Sequence, residues 1–461
     1  MPDRKRRPRA LKNHPYIVLI ILIFLTAGCS SLPPQREIGD LQRLPQSPIA
    51  YLDEQKSRQP SIPDSCQKIL AADFLEKFFL PWHGEGPLPT TDKPSWAIAW
   101  VNEHTVFGEN LRPVAANRVQ ELIRRADFKK YPSLDQRAIT VHRCDLRALP
   151  SRRPFFNDPR KAGQGFPFDQ LQHAALPANT PLKITHQSPD GAWVFVETSL
   201  AYGWAPATDI AWVDDAFVQA FETGRYLAVS RDGTAVSDTE GNFLSRLPIG
   251  SLLPLADTGD DGHHVLAAVA ASGRTAHLIQ ARIPGDTGDV FPLPLTPLHL
   301  ATLAERMMGQ PYGWGESFGN RDCSATIRDL FAPFGIWLPR NSARQAREGK
   351  IIPLADLAPA EREQRLLAEG IPFLTLVRIP GHIMLYLGEF EERAAVLHTL
   401  WGVRTKNFWG REGRWLVGQT VITGLQPGME QNSPFTRIGD LRTRVESMNL
   451  LPPCERHPAR K

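Results

Sequence analysis

The chain has 461 residues, 42% of them hydrophobic, 22% charged and 9% aromatic, which is length enough for several folded domains. Its net charge of +4 lies at the extreme N-terminus: residues 1–28 hold six Lys/Arg and one Asp, a charge of +5, and leave the remainder at −1. That near-neutral remainder has no basic stripe with interleaved aromatics, which excludes a nucleic-acid surface.

In chain order, Arg4, Lys5, Arg6, Arg7, Arg9 and Lys12 precede a short apolar run from Tyr16 to Leu25, then Thr26-Ala27-Gly28-Cys29-Ser30. This reads as a secretory signal over 1–28, too short to span a membrane. The small residues before Cys29 resemble a bacterial lipobox, with Thr26 where leucine is usual. The resemblance implies a lipidated Cys29 and a membrane anchor; ordinary cleavage nearby and an uncleaved anchor are the alternatives. Ser30 resembles a signal for sorting to the outer membrane, so the expected location is the bacterial cell envelope, on the outer membrane's periplasmic face. Residues 29–60, rich in Pro, Gln, Ser and Arg, read as a tether.

Residues 61–137 read as a helical segment, with Ile69, Phe74 and Phe78 marking one apolar stretch and Val114 to Ala126 another helix. Residues 138–293 change to short strands and turns. A faint repeat appears there: Ser188-Pro189-Asp190-Gly191 precedes Trp193 to Val196, and Thr258 to Gly262 precedes His264-Val265-Leu266. Asp190 and Asp261 stand 71 residues apart, which predicts two small barrels, 138–214 and 215–293. Tyr202-Gly203-Trp204-Ala205-Pro206 resembles the signature of bacterial SH3-like domains. His263-His264 reads as a solvated turn and strand start. Pro292 to Pro297 reads as a linker into a domain over 294–426, and 427–461 as a polar surface tail. Cys66, Cys144 and Cys454 permit one disulfide whose pairing stays open. No cysteine spacing resembles a zinc site, and neither metal nor organic cofactor is expected.

Asp322-Cys323-Ser324 carries the chemistry. Asp322 is a good N-cap, and Ile327, Leu330, Phe331 and Phe334 follow at helical spacing, with Pro333 and Gly335 ending the helix. Cys323 then lies in the first turn, where the helix dipole is expected to lower its thiol pKa. His382 opens an apolar strand, Ile383 to Leu387. Gly388 to Arg393 reads as a turn and Ala394 to Thr399 as a second strand. A turn centred near 390 or 391 places His382 opposite about 398 or 399, so that it meets His398. A cysteine nucleophile needs an imidazole to deprotonate it and a third group to orient that imidazole.

These residues resemble the catalytic domain of the NlpC/p60-type cell-wall cysteine peptidases, relatives of papain. Tyr312-x-Trp314-Gly315, Asp322-Cys323-Ser324 and Gly381-His382 match that family's pattern over about 300–425; Ala325 replaces a frequent glycine. With the upstream segments, the chain resembles a subfamily with a helical stabilising segment and two SH3-like barrels. The implied fold class is α+β multidomain: a papain-like NlpC-type catalytic domain preceded by two small SH3-like β-barrels and a helical N-terminal segment. The resemblance implies Cys323 as nucleophile, His382 as base and His398 as orienting residue. It implies peptidoglycan stem peptides as partners, cleaved between γ-D-glutamate and the following diamino acid. It further implies a requirement for a free N-terminal L-alanine, with Asp322, Ser324, Ser342 and Tyr202 as the residues that would contact it. Three of these also have a plainer reading: Asp322 as a helix cap, Ser342 as a loop hydroxyl, Tyr202 as barrel packing. Two other functions stay open, a non-catalytic peptidoglycan-binding scaffold and a thiol hydrolase or acyltransferase on another peptide or lipid. Oligomeric state is not legible in the sequence.

Overall fold

The computed structural model describes residues 37–88, 93–259 and 262–452. The signal segment, Cys29, Asp261 and Cys454 lie outside them. From Ile38 onward the chain forms one compact unit. Among the described residues no helix is long and apolar enough to cross a membrane.

The stretch read as a tether is, from Ile38, part of the folded body. Ile38, Asp40 and Leu44 are buried. Asp40 accepts the N–H of Gly424 at 2.8 Å, and the Gln46 amide brackets the backbone of Ile422 at 2.9 and 3.0 Å. Two buried apolar residues and one buried aspartate among prolines and polar groups give no periodic pattern, so composition alone missed this docking. Next comes the helix Asp64–His83. Phe74, Phe79 and Trp82 face inward, whereas Ile69 is exposed. Trp82 meets Phe217 and Phe221 with ring centroids 6.1 and 5.5 Å apart and donates to the Ala138 carbonyl at 2.8 Å. Each such buried side chain contributes roughly 1.5–3 kcal/mol. Helices Trp96–Glu103 and Ala116–Ala126 complete this segment.

Two seven-stranded antiparallel sheets follow, spanning strands Gln136–Thr140 to Ile210–Trp212 and Tyr226–Val229 to Gly288–Val290. Numbered within each domain, both have strand order 3-2-6-5-4-1-7. The faint repeat therefore marks the same hairpin, strands 4 and 5, in each. His263 opens the strand Gly262–Ala270 but is buried rather than solvated, its Nε2 facing the carbonyls of Gly285 and Gly288 at 3.1 and 3.0 Å. Cys66 is disulfide-bonded and Cys144 is a buried free thiol.

The C-terminal domain packs helix Cys323–Phe331 against a sheet ordered Lys350–Pro353, Ser447–Leu450, Thr375–Ile379, His382–Phe390, Arg393–Asn407 and Glu412–Thr423. The expected surface tail thus supplies an internal strand. Ser447–Leu450 pairs on both sides, and Met448 and Asn449 are fully buried. Four residues paired with distant partners leave too short a signal to read in sequence.

Candidate active site

Asp322 caps the helix by accepting the N–H of Ala325 at 2.9 Å, and Cys323 is the first helical residue. Ala325 is fully buried in that first turn, where alanine favours the helix over glycine. His382 is placed by a two-residue turn, Pro380-Gly381, with Ile379 and His382 paired across it. Gly381 has φ +78°, so proline and glycine stand where a type II turn wants them. The N–H of the next residue, Ile383, is aimed at the Cys323 sulfur, which brings the strand start onto the helix start.

His382 Nε2 lies 2.8 Å from His398 Nδ1. The register differs from the expected one. The tight turn is Glu391-Glu392, both at positive φ, and Phe390 pairs with Arg393. A bulge between Tyr386 and Gly388 then leaves Leu385 opposite Leu397. Continued, that register sets His398 diagonal to His382 on the same face, within reach of two rings.

The far side of His398 fixes its proton. Thr423 Oγ1 sits 3.1 Å from His398 Nε2 and donates its own hydrogen to the Gly424 carbonyl at 2.7 Å. It must therefore accept from His398, which leaves His398 Nδ1 bare to accept from His382 Nε2. His382 Nδ1 is then the free base.

The expected low-pKa thiol is not what the environment gives. Burial pushes Cys323 up to about 12, and the adjacent Asp322 charge adds to this. The N–H groups of Ile383 and Ser324 and the Arg340 charge act oppositely but do not outweigh it. Burial, aided by the Arg444 charge, pulls His382 down to about 4, and burial holds His398 well below its ordinary value. Burial thus works against the charged form of both groups.

Cys323 and His382 line a cleft of about 580 Å³ together with Asp322, Ser324, Ser342 and Tyr202. Tyr202 comes from the first SH3-like sheet and packs edge-on against His173 at 5.1 Å. The walls meet where Gln172 donates to the Gly315 carbonyl at 2.9 Å. Gly315 has φ +59°, and a Cβ there would lie 2.7 Å from the Gln172 carbonyl oxygen, so only glycine fits.

Sequence reasoning missed Arg340, Glu316 and Thr423. Arg340 clasps both Asp322 oxygens at 3.1 and 2.8 Å, also reaches Ser324 Oγ at 3.0 Å, and pairs with Glu316 at 2.7 Å. Burial opposes ionisation of Glu316, yet Arg328 and Arg340 hold its pKa at about 2. The ion pairs run on through Arg328, Asp329 and Arg321 to Asp232 of the second sheet domain. Three guanidinium groups alternate with four carboxylates, so the chain of pairs as a whole carries one negative charge in excess, with Asp322 at one end and Asp232 at the other. The available signal was a lone arginine closing the apolar run Ile336 to Pro339.

Family models match in the same order as the domains. Residues 16–131 match the N-terminal NLPC_P60 stabilising domain, 154–206 an SH3 domain of the SH3b1 type, 214–259 an SH3 domain of the SH3b2 type, and 309–403 the NlpC/P60 family. Among solved structures the chain is similar to an NlpC/P60 endopeptidase from Photobacterium damselae subsp. piscicida. That match has TM-score 0.80 and 25% identity over 88% of this chain and 97% of that one. An NlpC/P60 family protein from Bacillus cereus ATCC 10987 aligns at TM-score 0.42 and 17% identity, over 61% of this chain and 82% of that one. No curated protein sequence matches the chain.

Proposed function

This chain carries an NlpC/P60 family domain behind an N-terminal stabilising domain and two SH3 domains, a peptidoglycan-hydrolase-type fold, and on that architecture we propose a lipid-anchored cysteine endopeptidase of cell-wall stem peptides. It cleaves the amide between γ-D-glutamate and diaminopimelate. The observation that carries the reading is the oriented relay at the cleft: Cys323 beside the His382 strand start, with His382 Nε2 2.8 Å from His398 Nδ1.

In the reaction, His382 Nδ1 takes the thiol proton as Cys323 sulfur attacks the γ-carbonyl carbon. Backbone N–H groups at the helix start, including that of Cys323, face the oxyanion. Collapse expels the diamino acid amine, which receives its proton from the His382 imidazolium. Water, deprotonated by His382, then hydrolyses the thioester and frees the thiol. His398, held by Thr423, keeps the base in the correct tautomer throughout.

A free L-alanine amine suits a site next to Asp322, one end of a chain of ion pairs that carries one negative charge in excess. The Asp322 oxygens already receive Arg340, Ser324 and backbone donors, so direct acceptance falls to the Ser324, Ser342 and Tyr202 oxygens. Lipidation at Cys29 would hold the enzyme at the outer membrane's periplasmic face. The test is digestion of L-Ala-γ-D-Glu-diaminopimelate and its N-acylated form, with products identified by mass spectrometry. Cleavage of the free form alone supports the reading, and equal cleavage of both would refute the amine requirement. Cys29→Ser should release the protein from membranes; mass analysis giving an unmodified N-terminus downstream of Cys29 would refute the anchor.

A further inference from the structure

Arg404, Arg414 and Arg444 bring a cluster of positive charge to the cleft. Arg404 and Arg414 are direct cross-strand partners on Arg393–Asn407 and Glu412–Thr423. Like charges placed directly opposite destabilise a sheet pair. Arg444 joins them from the C-terminal segment, donating to the Pro380 carbonyl at 3.0 Å beside the His382 turn. All three line the cleft. One carboxylate, Glu412, answers them, paired with Arg404 at 3.0 Å. The nearby Glu446 pairs instead with Arg378 at 3.3 Å. Among the described residues no carboxylate lies within ion-pair distance of Arg414 or Arg444. Their guanidinium pKa values are pulled down by burial and then by the Arg404 charge, the sign of mutual repulsion in a partly dry wall. A wall built this way is held short of an anion.

We propose that Arg404, Arg414 and Arg444 form a leaving-group subsite that binds the carboxylates of the released diamino acid. The subsite selects a dicarboxylic diamino acid over lysine. This rests on the peptidase reading above. His382 delivers a proton to the leaving amine, so the substituents of that amine lie on the His382 side, where Arg444 holds the turn. Diaminopimelate and lysine differ by one distal carboxylate. The cleft is then bipolar in the order of its substrate: the Asp322 end of the ion-pair chain for the N-terminal ammonium, and guanidinium groups on the His382 side for the carboxylates. Arginine is the residue suited to this, since its fork bonds a carboxylate bidentately.

The test measures binding by calorimetry in the Cys323→Ala protein, where the peptide stays intact. L-Ala-γ-D-Glu-meso-diaminopimelate should bind about tenfold tighter than L-Ala-γ-D-Glu-L-lysine, a ratio typical of one charge-assisted contact. Adding Arg414→Gln should bring the ratio toward one, and raising salt should shrink it. Equal affinity for the two peptides, or binding of neither, would overturn the subsite; so would a ratio that Arg414→Gln leaves intact in a folded protein. Turnover by the unmutated enzyme is read separately. Selective binding without cleavage of either peptide would refute the peptidase reading while upholding the subsite.

Discussion

Thr423→Val probes the relay where it is least obvious. The valine is close in shape but lacks the hydroxyl that accepts from His398 Nε2 and donates to Gly424. Thr423 and His398 are both fully buried, so no bulk water replaces the lost acceptor. A buried N–H left unsatisfied costs about 1–3 kcal/mol. His398 can escape that cost by moving its proton to Nδ1. It then donates to His382 Nε2 and drives the His382 proton onto Nδ1, where the free base was. If the unreactive tautomer becomes the more stable by about 2 kcal/mol, roughly one molecule in thirty keeps the reactive form. We expect kcat on the diaminopimelate tripeptide to fall about 10–100-fold with KM within about twofold, because the substrate does not touch Thr423. Thr423→Ser should keep most of the activity, and nitrogen NMR of the histidines should report the tautomer change. Wild-type kcat together with wild-type urea stability in Thr423→Val would refute the reasoning.

Other expectations follow from the same geometry. His382→Ala should abolish turnover nearly as fully as Cys323→Ala, and His398→Ala should hurt less because it orients rather than reacts; steady-state rates on purified wall peptides decide this. Stability should fall as the pH drops from about 6.5 toward 4, because the unfolded chain protonates His382 in that window and the folded one does not. At about 1.4 kcal/mol per unit, a shift from 6.5 to about 4 amounts to roughly 3 kcal/mol, with His398 adding in the same direction. Urea midpoints at pH 7 and pH 4.5 check it, and a His382→Gln variant should show a smaller drop. Asp232→Ala removes two charge-assisted hydrogen bonds from Arg321, which keeps Asp329, and should cost about 1.5–3 kcal/mol in denaturant melts. Met448→Ala should cost about 2–5 kcal/mol, which a surface tail would not.

What the sequence made legible is what short-range patterns encode. Asp322 as cap, Cys323 in the first turn and His382 opening a strand each depend on a few neighbouring residues. The double SH3-like plan was readable because one hairpin recurs with the same turn chemistry. Long-range packing was not readable. Ser447–Leu450 enters the sheet between strands about 70 and 100 residues earlier in the chain, which no local pattern announces. The Glu391-Glu392 turn takes positive φ without the usual Asn or Gly, so the centre of the hairpin was misplaced. Helix position, which favours the thiolate, is local, whereas burial, the largest cause of the raised thiol pKa, emerges only in the fold. Thr423 and Arg414 look like ordinary strand residues until the strand beside them is known.

The most direct measurement is mass analysis of L-Ala-γ-D-Glu-meso-diaminopimelate after incubation with the purified protein and with its Cys323→Ala variant. The account predicts L-Ala-D-Glu and free diaminopimelate from the first and intact tripeptide from the second. Intact tripeptide in both, or equal cleavage by both, would contradict it.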